Sequence, residues 1–76
     1  MTTREKVLEI ASSICPAVDF ENETALIDDQ ILESLDIVSI VSELMYEFDI
    51  QIDVDDLAPE NFNSLDAIAE LVESYL

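Results

Sequence analysis

Ser34 is the residue whose type and setting most invite chemistry. It stands between Glu33 and Leu35 in the stretch ILESLDIVSIV, where a polar segment gives way to an apolar one. A hydrolytic serine needs a general base within hydrogen-bond reach, usually a histidine held by a third group. The 76-residue chain has no histidine, so a Ser-His arrangement is excluded, and its single lysine, Lys6, lies on a different predicted helix. It also has no glycine, which removes P-loops, dinucleotide fingerprints and glycine-built oxyanion loops together. An autonomous enzyme is therefore not expected, and no catalytic residue is assigned.

Carboxylates are the second candidate chemistry, and DVDD at residues 53–56 is their densest cluster. A calcium loop of the EF-hand type needs alternating ligands, a glycine at its sixth position and a glutamate at its twelfth. Counting from Asp53, those positions hold Ala58 and Ser64, and the fifth holds Leu57. The cluster reads instead as an acidic helix start, and no metal site is expected. Cys15 is the only cysteine, which excludes an internal disulfide and suits a small core residue.

Nineteen acidic residues against Arg4 and Lys6 give a formal net charge of −17. Nucleic acid is an improbable ligand for such a chain, because phosphate contacts need cations. The same field repels anionic membranes and draws proteins with basic patches. The start MTTREKVLEI lacks a long apolar stretch, and no apolar run approaches membrane-spanning length. Membrane insertion is not expected, and cytoplasmic residence is.

Half of the residues are hydrophobic, which suffices for one modest helical core over residues 1–76. A first helix is predicted from Thr2 or Thr3, where Thr2 and Glu5 have capping-box spacing, to Cys15, because Pro16 cannot continue it. Val7, Leu8, Ile10, Ala11, Ile14 and Cys15 share its apolar side. Periodicity then fails over residues 16–33, a long loop to be tied down by Phe20, Leu26, Ile27, Ile31 and Leu32. A second helix is predicted over residues 34–48, burying Ile37, Val38, Ile40, Val41, Leu44, Met45 and Phe48. The segment DVDDLAPENF reads as a short third helix or turn with Val54, Leu57 and Phe62 inward, and Pro59 confining any helix to its neighbourhood. A last helix opens at Asn63 or Ser64 as cap and runs to Leu76, burying Leu65, Ile68, Ala69, Leu71, Val72, Tyr75 and Leu76. The expected fold is all-α: a small four-helix bundle with a long first loop and a short third helix.

On this frame Ser34 has two readings, an N-cap of the second helix or a hydroxyl displayed for another enzyme to modify. Leu35 fits neither helix face rule. It projects onto the wet side, in line with Ser39, Ser42 and Tyr46, with Val38 and Met45 at the edge of the apolar arc.

Glu33-Ser34-Leu35 resembles the Asp-Ser-Leu marker that opens the second helix of the acyl carrier proteins and their peptidyl and D-alanyl relatives. SLDIVSIVSELMYEFDIQI resembles that family's second helix with its acidic-aromatic end, and NSLDAIAELV its fourth. The similarity covers nearly the whole chain. Two departures are visible: Glu33 replaces the customary aspartate, and Gln30, Ile31 and Leu32 stand where a glycine is usual. The segment ALIDDQILES looks closer to the D-alanyl carriers than to the fatty-acid type.

The resemblance implies that Ser34 accepts a covalent 4′-phosphopantetheine from coenzyme A through a magnesium-dependent phosphopantetheinyl transferase. The thiol of that arm holds an acyl or aminoacyl group as a thioester. It further implies that Glu33, Leu35, Val38, Glu43, Met45 and Glu47 contact partners, namely acyl- or aminoacyl-activating and acyl-transfer enzymes with basic patches, and that the carrier is a monomer. The alternative is an acidic protein-interaction module that binds a basic partner and is never modified.

Overall fold

The computed structural model describes residues 2–76. Every regular element is helical: α1 (Thr3–Ile14), α2 (Ser34–Phe48), one 3₁₀ turn (Val54–Asp56), α3 (Pro59–Phe62) and α4 (Leu65–Tyr75), with no strand among the described residues. Thr2 caps α1 through the expected box. Its hydroxyl accepts from the Glu5 N–H at 3.1 Å, and the Glu5 carboxylate accepts from the Thr2 N–H at 3.0 Å. Helix α1 ends at Ile14 with Cys15 as the C-cap, one residue before Pro16.

Helix α1 packs against both α2 and α4, and α3 packs against α4. Val7, Ile10 and Ala11 of α1 meet Ile40, Val41 and Leu44 of α2 and Leu65, Ile68, Leu71 and Val72 of α4 in one hydrophobic cluster. Both cations lie on α1 and bridge its two seams. Arg4 reaches Asp66 of α4 at 2.6 Å, and Lys6 reaches Glu47 of α2 at 3.5 Å while lying 5.4 Å from the Phe48 ring centroid. These half-exposed pairs are each worth at most about 1 kcal/mol, so apolar burial holds the helices together and the pairs relieve local repulsion.

The long loop is folded onto this core through the expected anchors. Phe20, Leu26 and Leu32 are buried, and Ile27 and Ile31 pack beside them half-buried. The radius of gyration, 11.0 Å, matches the roughly 11 Å expected of a compact chain this long, which leaves no room for a loop extended into solvent.

The segment after α2 corrects several expectations. Asp49 takes a left-handed conformation, φ 54°, and ends the helix. Ile50 and Ile52 then turn inward from irregular backbone, and Ile52 is buried. Val54 and Leu57, expected inward, face solvent, with Val54 76% exposed. In a 3₁₀ turn residues three apart eclipse, so Asp53 and Asp56 share one side while Val54 and Leu57 share another. Tyr75 of α4 claims the first side: its hydroxyl accepts from the Asp53 N–H at 2.9 Å and donates to the Asp56 carboxylate. The hydrophobic pair is thereby turned outward.

Pro59 opens α3 at its first turn, where a missing N–H costs nothing, and Phe62 is buried as expected. Ser64 is the cap of α4, its hydroxyl accepting from the Ala67 N–H at 3.1 Å. Leu76 lies beyond α4 as its cap residue and is exposed, not buried, because it has left the helical path that turns Leu71 and Val72 to the core.

Candidate functional site

The N-terminus of α2 is built from the loop before it. Two buried leucines fix that loop: the Leu26 carbonyl accepts from both the Ile31 and Leu32 N–H groups at 2.9 Å. Asn63, between α3 and α4, clamps the same turn. Its side-chain oxygen accepts from the Ile27 and Asp28 N–H groups at 3.0 and 3.1 Å, and its amide donates to the Asp28 carboxylate at 3.2 Å. The Asn63 carbonyl also accepts from the Leu26 N–H at 2.9 Å. Gln30 adopts φ 59°, the left-handed region in which a side chain costs about 1–2 kcal/mol.

Ser34 is not the N-cap. Glu33 occupies that position, and its N–H donates to the Asp36 carboxylate at 3.1 Å. Ser34 is the first helical residue, exposed, and its hydroxyl has no hydrogen-bond partner among the described residues. Serine is a preferred capping residue, which made the cap one of the two readings of Ser34; the Glu33 and Asp36 pair, with capping-box spacing, carries the signal for the observed arrangement. Asp36 also complements the positive end of the helix dipole.

Cys15, at the end of α1, approaches the same corner. It is half-buried against the core, and burial first, then the neighbouring Asp36 carboxylate, push its thiol up from the ordinary range. The raised pKa favours the thiol over the more nucleophilic thiolate.

Along α2 the expected contact residues divide by environment. Leu35 is 76% exposed and Val38 57% exposed, both on the solvent side. Glu33 and Glu43 are exposed, and Glu43 has no ion-pair partner among the described residues. Met45 is half-buried against the core, and Glu47 is paired with Lys6. Val38, expected at the edge of the buried arc, has moved out of it. Tyr46, 80% exposed and outside the expected contact set, lies on the same side as Leu35.

Three further residues matter beyond sequence expectation. Asn63 was one of two candidate caps; with Ser64 taking that role, its amide is free to clamp the loop, and the tandem Asn-Ser is the only local hint. Tyr75 packs half-buried against the core as expected, and its hydroxyl also latches the 3₁₀ turn. Donation to Asp56 pushes that hydroxyl's pKa up. Gln30 has no sequence signal, since glutamine does not favour left-handed backbone.

No cavity opens among the described residues, and no group of histidine, cysteine or carboxylate side chains is arranged to hold a metal ion. No helix is long and apolar enough to cross a membrane. Comparison with known proteins finds no family model, no curated relative and no solved structure that matches this chain.

Proposed function

We propose that this chain is a carrier protein, a four-helix bundle that bears 4′-phosphopantetheine on Ser34 and passes an acyl or aminoacyl group between partner enzymes. The observation that carries the reading is the Ser34 hydroxyl, exposed at the start of α2 and spared from capping by Glu33 and Asp36. A capping serine has its oxygen committed to a backbone N–H; this one is available to form a phosphodiester. The first-turn N–H groups and dipole of α2 favour an anion at that end of the helix. The carboxylates of Glu33 and Asp36 oppose close packing of the same anion onto the loop, which leaves the arm to the binding sites of partners.

The chain's own part in the chemistry is limited. Ser34 supplies an oxygen, and the loop held by Leu26, Leu32 and Asn63 sets its position. The base that removes its proton belongs to the transferase, since this sequence has no histidine and its one lysine is paired with Glu47. When bound, the arm supplies a thiol for thioester formation. The acidic surface favours quick, weak association with basic partner enzymes, as a monomeric cytoplasmic shuttle requires.

The test is to incubate the purified chain with coenzyme A and a broad-specificity transferase and to weigh it. A single arm-sized mass increase, absent in Ser34→Ala, is the expected result. No added mass, or addition to Ser34→Ala, refutes the reading. An unmodified interaction module is the second reading, favoured by the exposed Leu35, Val38 and Tyr46. It requires Ser34→Ala to keep both partner binding and biological activity.

A further inference from the structure

Asn63 is followed in sequence by Ser64, and that pairing carries a chemistry that the attachment of an arm does not use. Asparagine is a thermolabile residue, because the backbone nitrogen of the next residue can attack its side-chain amide when the two are brought together. A small side chain on that next residue leaves the approach open. The asparagines of the chain, Asn22, Asn61 and Asn63, are followed by Glu23, Phe62 and Ser64. Ser64 is the smallest of these, so Asn63 is the asparagine that the unfolded chain should convert first. The native chain holds it back. The Asn63 side-chain oxygen accepts from the Ile27 and Asp28 N–H groups at 3.0 and 3.1 Å, and its nitrogen donates to the Asp28 carboxylate at 3.2 Å. These bonds fix the plane of a half-buried amide on a helical backbone, φ −72° and ψ −21°. Attack at Cγ requires that plane to turn toward the Ser64 nitrogen, so reaction follows opening of the clamp.

We infer that Asn63 is a gated modification site: when the loop opens it cyclises with the Ser64 backbone, and its isoaspartyl product releases the loop before Ser34 and retires the chain as an acceptor of the arm. The step balances without a redox partner. Hydroxide takes the proton of the Ser64 N–H, the nitrogen bonds to Asn63 Cγ, and the Cγ–Nδ2 bond breaks as ammonia leaves with a proton from water. A second water opens the resulting ring at either carbonyl. Opening at the former main-chain carbonyl gives the isoaspartyl link, in which the main chain runs through the former side chain and is longer by one methylene. That exchange matters here because Asn63 holds the loop from both groups. Its side-chain amide binds Ile27 and Asp28, and its main-chain carbonyl accepts from the Leu26 N–H at 2.9 Å. The isoaspartyl link interchanges the two groups, so neither remains opposite its partners. Either product also sets a new negative charge near the Asp28 carboxylate. The loss of arm attachment rests on the carrier reading; the conversion and its gating do not.

The experiment holds the full, unmodified chain at mildly alkaline pH, native and in urea, and follows Asn22, Asn61 and Asn63 by peptide mapping with the aspartyl and isoaspartyl forms separated. Asn63 should convert first in urea, and at least about tenfold more slowly in the native chain, as the clamp's hydrogen bonds imply. Asp28→Ala removes one clamp bond at an exposed position, so it should speed native conversion at Asn63 by about threefold or more and leave the urea rate unchanged. Ser64→Thr keeps a capping hydroxyl but crowds the attack with a branched side chain, and should slow conversion in both states. The purified isoaspartyl form should exchange its Ile27 and Asp28 amides faster, and with coenzyme A and a transferase it should gain the arm more slowly than fresh chain. Earlier conversion at Asn22 or Asn61 in urea, equal native and urea rates, an unchanged native rate in Asp28→Ala, or an isoaspartyl form that takes the arm as fast as fresh chain would each overturn the inference. A fresh chain that takes no arm refutes the carrier reading and the retirement with it, while mapping and amide exchange still decide the site, so the two failures are distinguishable.

Discussion

Replacing Asn63 with alanine tests whether one side chain holds the long loop in place. The substitution removes three hydrogen bonds: two accepted from the Ile27 and Asp28 N–H groups and one donated to the Asp28 carboxylate. Ile27 is half-buried, so its orphaned N–H bears part of a desolvation penalty, about 1 kcal/mol beyond the lost water exchange. Asp28 is exposed and recovers its bonds from water, so its two contacts together are worth about 1 kcal/mol. The sum, about 2 kcal/mol, corresponds to a fall in Tm of roughly 8–16 °C for a domain of this size. With a urea m-value near 1 kcal/mol/M, the midpoint should drop by about 2 M. Amide exchange at Ile27 and Asp28 should accelerate selectively, because the Leu26 N–H retains its bond to the Asn63 carbonyl. Asn63→Asp keeps an oxygen to accept from both N–H groups while facing the Asp28 carboxylate, so its smaller loss should shrink as salt is added. A loss below about 0.5 kcal/mol in Asn63→Ala, the level of an ordinary surface substitution, refutes the clamp. So does unchanged protection at the two amides.

Asp49 holds a left-handed conformation and a negative charge at the negative end of α2, so Asp49→Gly should stabilise the fold by about 1 kcal/mol in urea unfolding. An unchanged or lower midpoint contradicts that account. Alkaline pH should release the Tyr75 latch. Donation to Asp56 raises the folded pKa of the hydroxyl, so its stabilisation is complete below the ordinary tyrosine pKa and is lost as pH rises through the raised folded value. In Tyr75→Phe that part of the alkaline loss should vanish and the Asp53 amide should exchange faster at neutral pH. A melt of Tyr75→Phe with the same alkaline slope as the native chain rules the latch out.

What could be read without the structure follows from local rules. The Thr2 and Glu5 spacing fixed the start of α1, and the apolar period fixed the bounds of α2, because caps and periodicity act within a few residues. The loop anchors Phe20, Leu26 and Leu32 were legible because large apolar residues in a long connection must find the core. The outward turn of Val54 and Leu57 was not legible, since it depends on Tyr75, about twenty residues away in sequence.

At the candidate site the division is sharper. The sequence by itself determined an all-helical chain, a serine at the head of α2, a leucine beside it on the wet side, and the absence of histidine, because these are matters of residue type and spacing. The Glu33 and Asp36 spacing that caps the helix and leaves the Ser34 hydroxyl unspent is equally local, three residues apart. Only the tertiary structure brought Asn63 across to hold the loop that positions Ser34, paired Glu47 with Lys6, and turned Val38 out of the buried arc. Each of these depends on which distant group arrives to compete for a hydrogen bond, a charge or a place in the core, and the order of residues along one helix does not specify that competition.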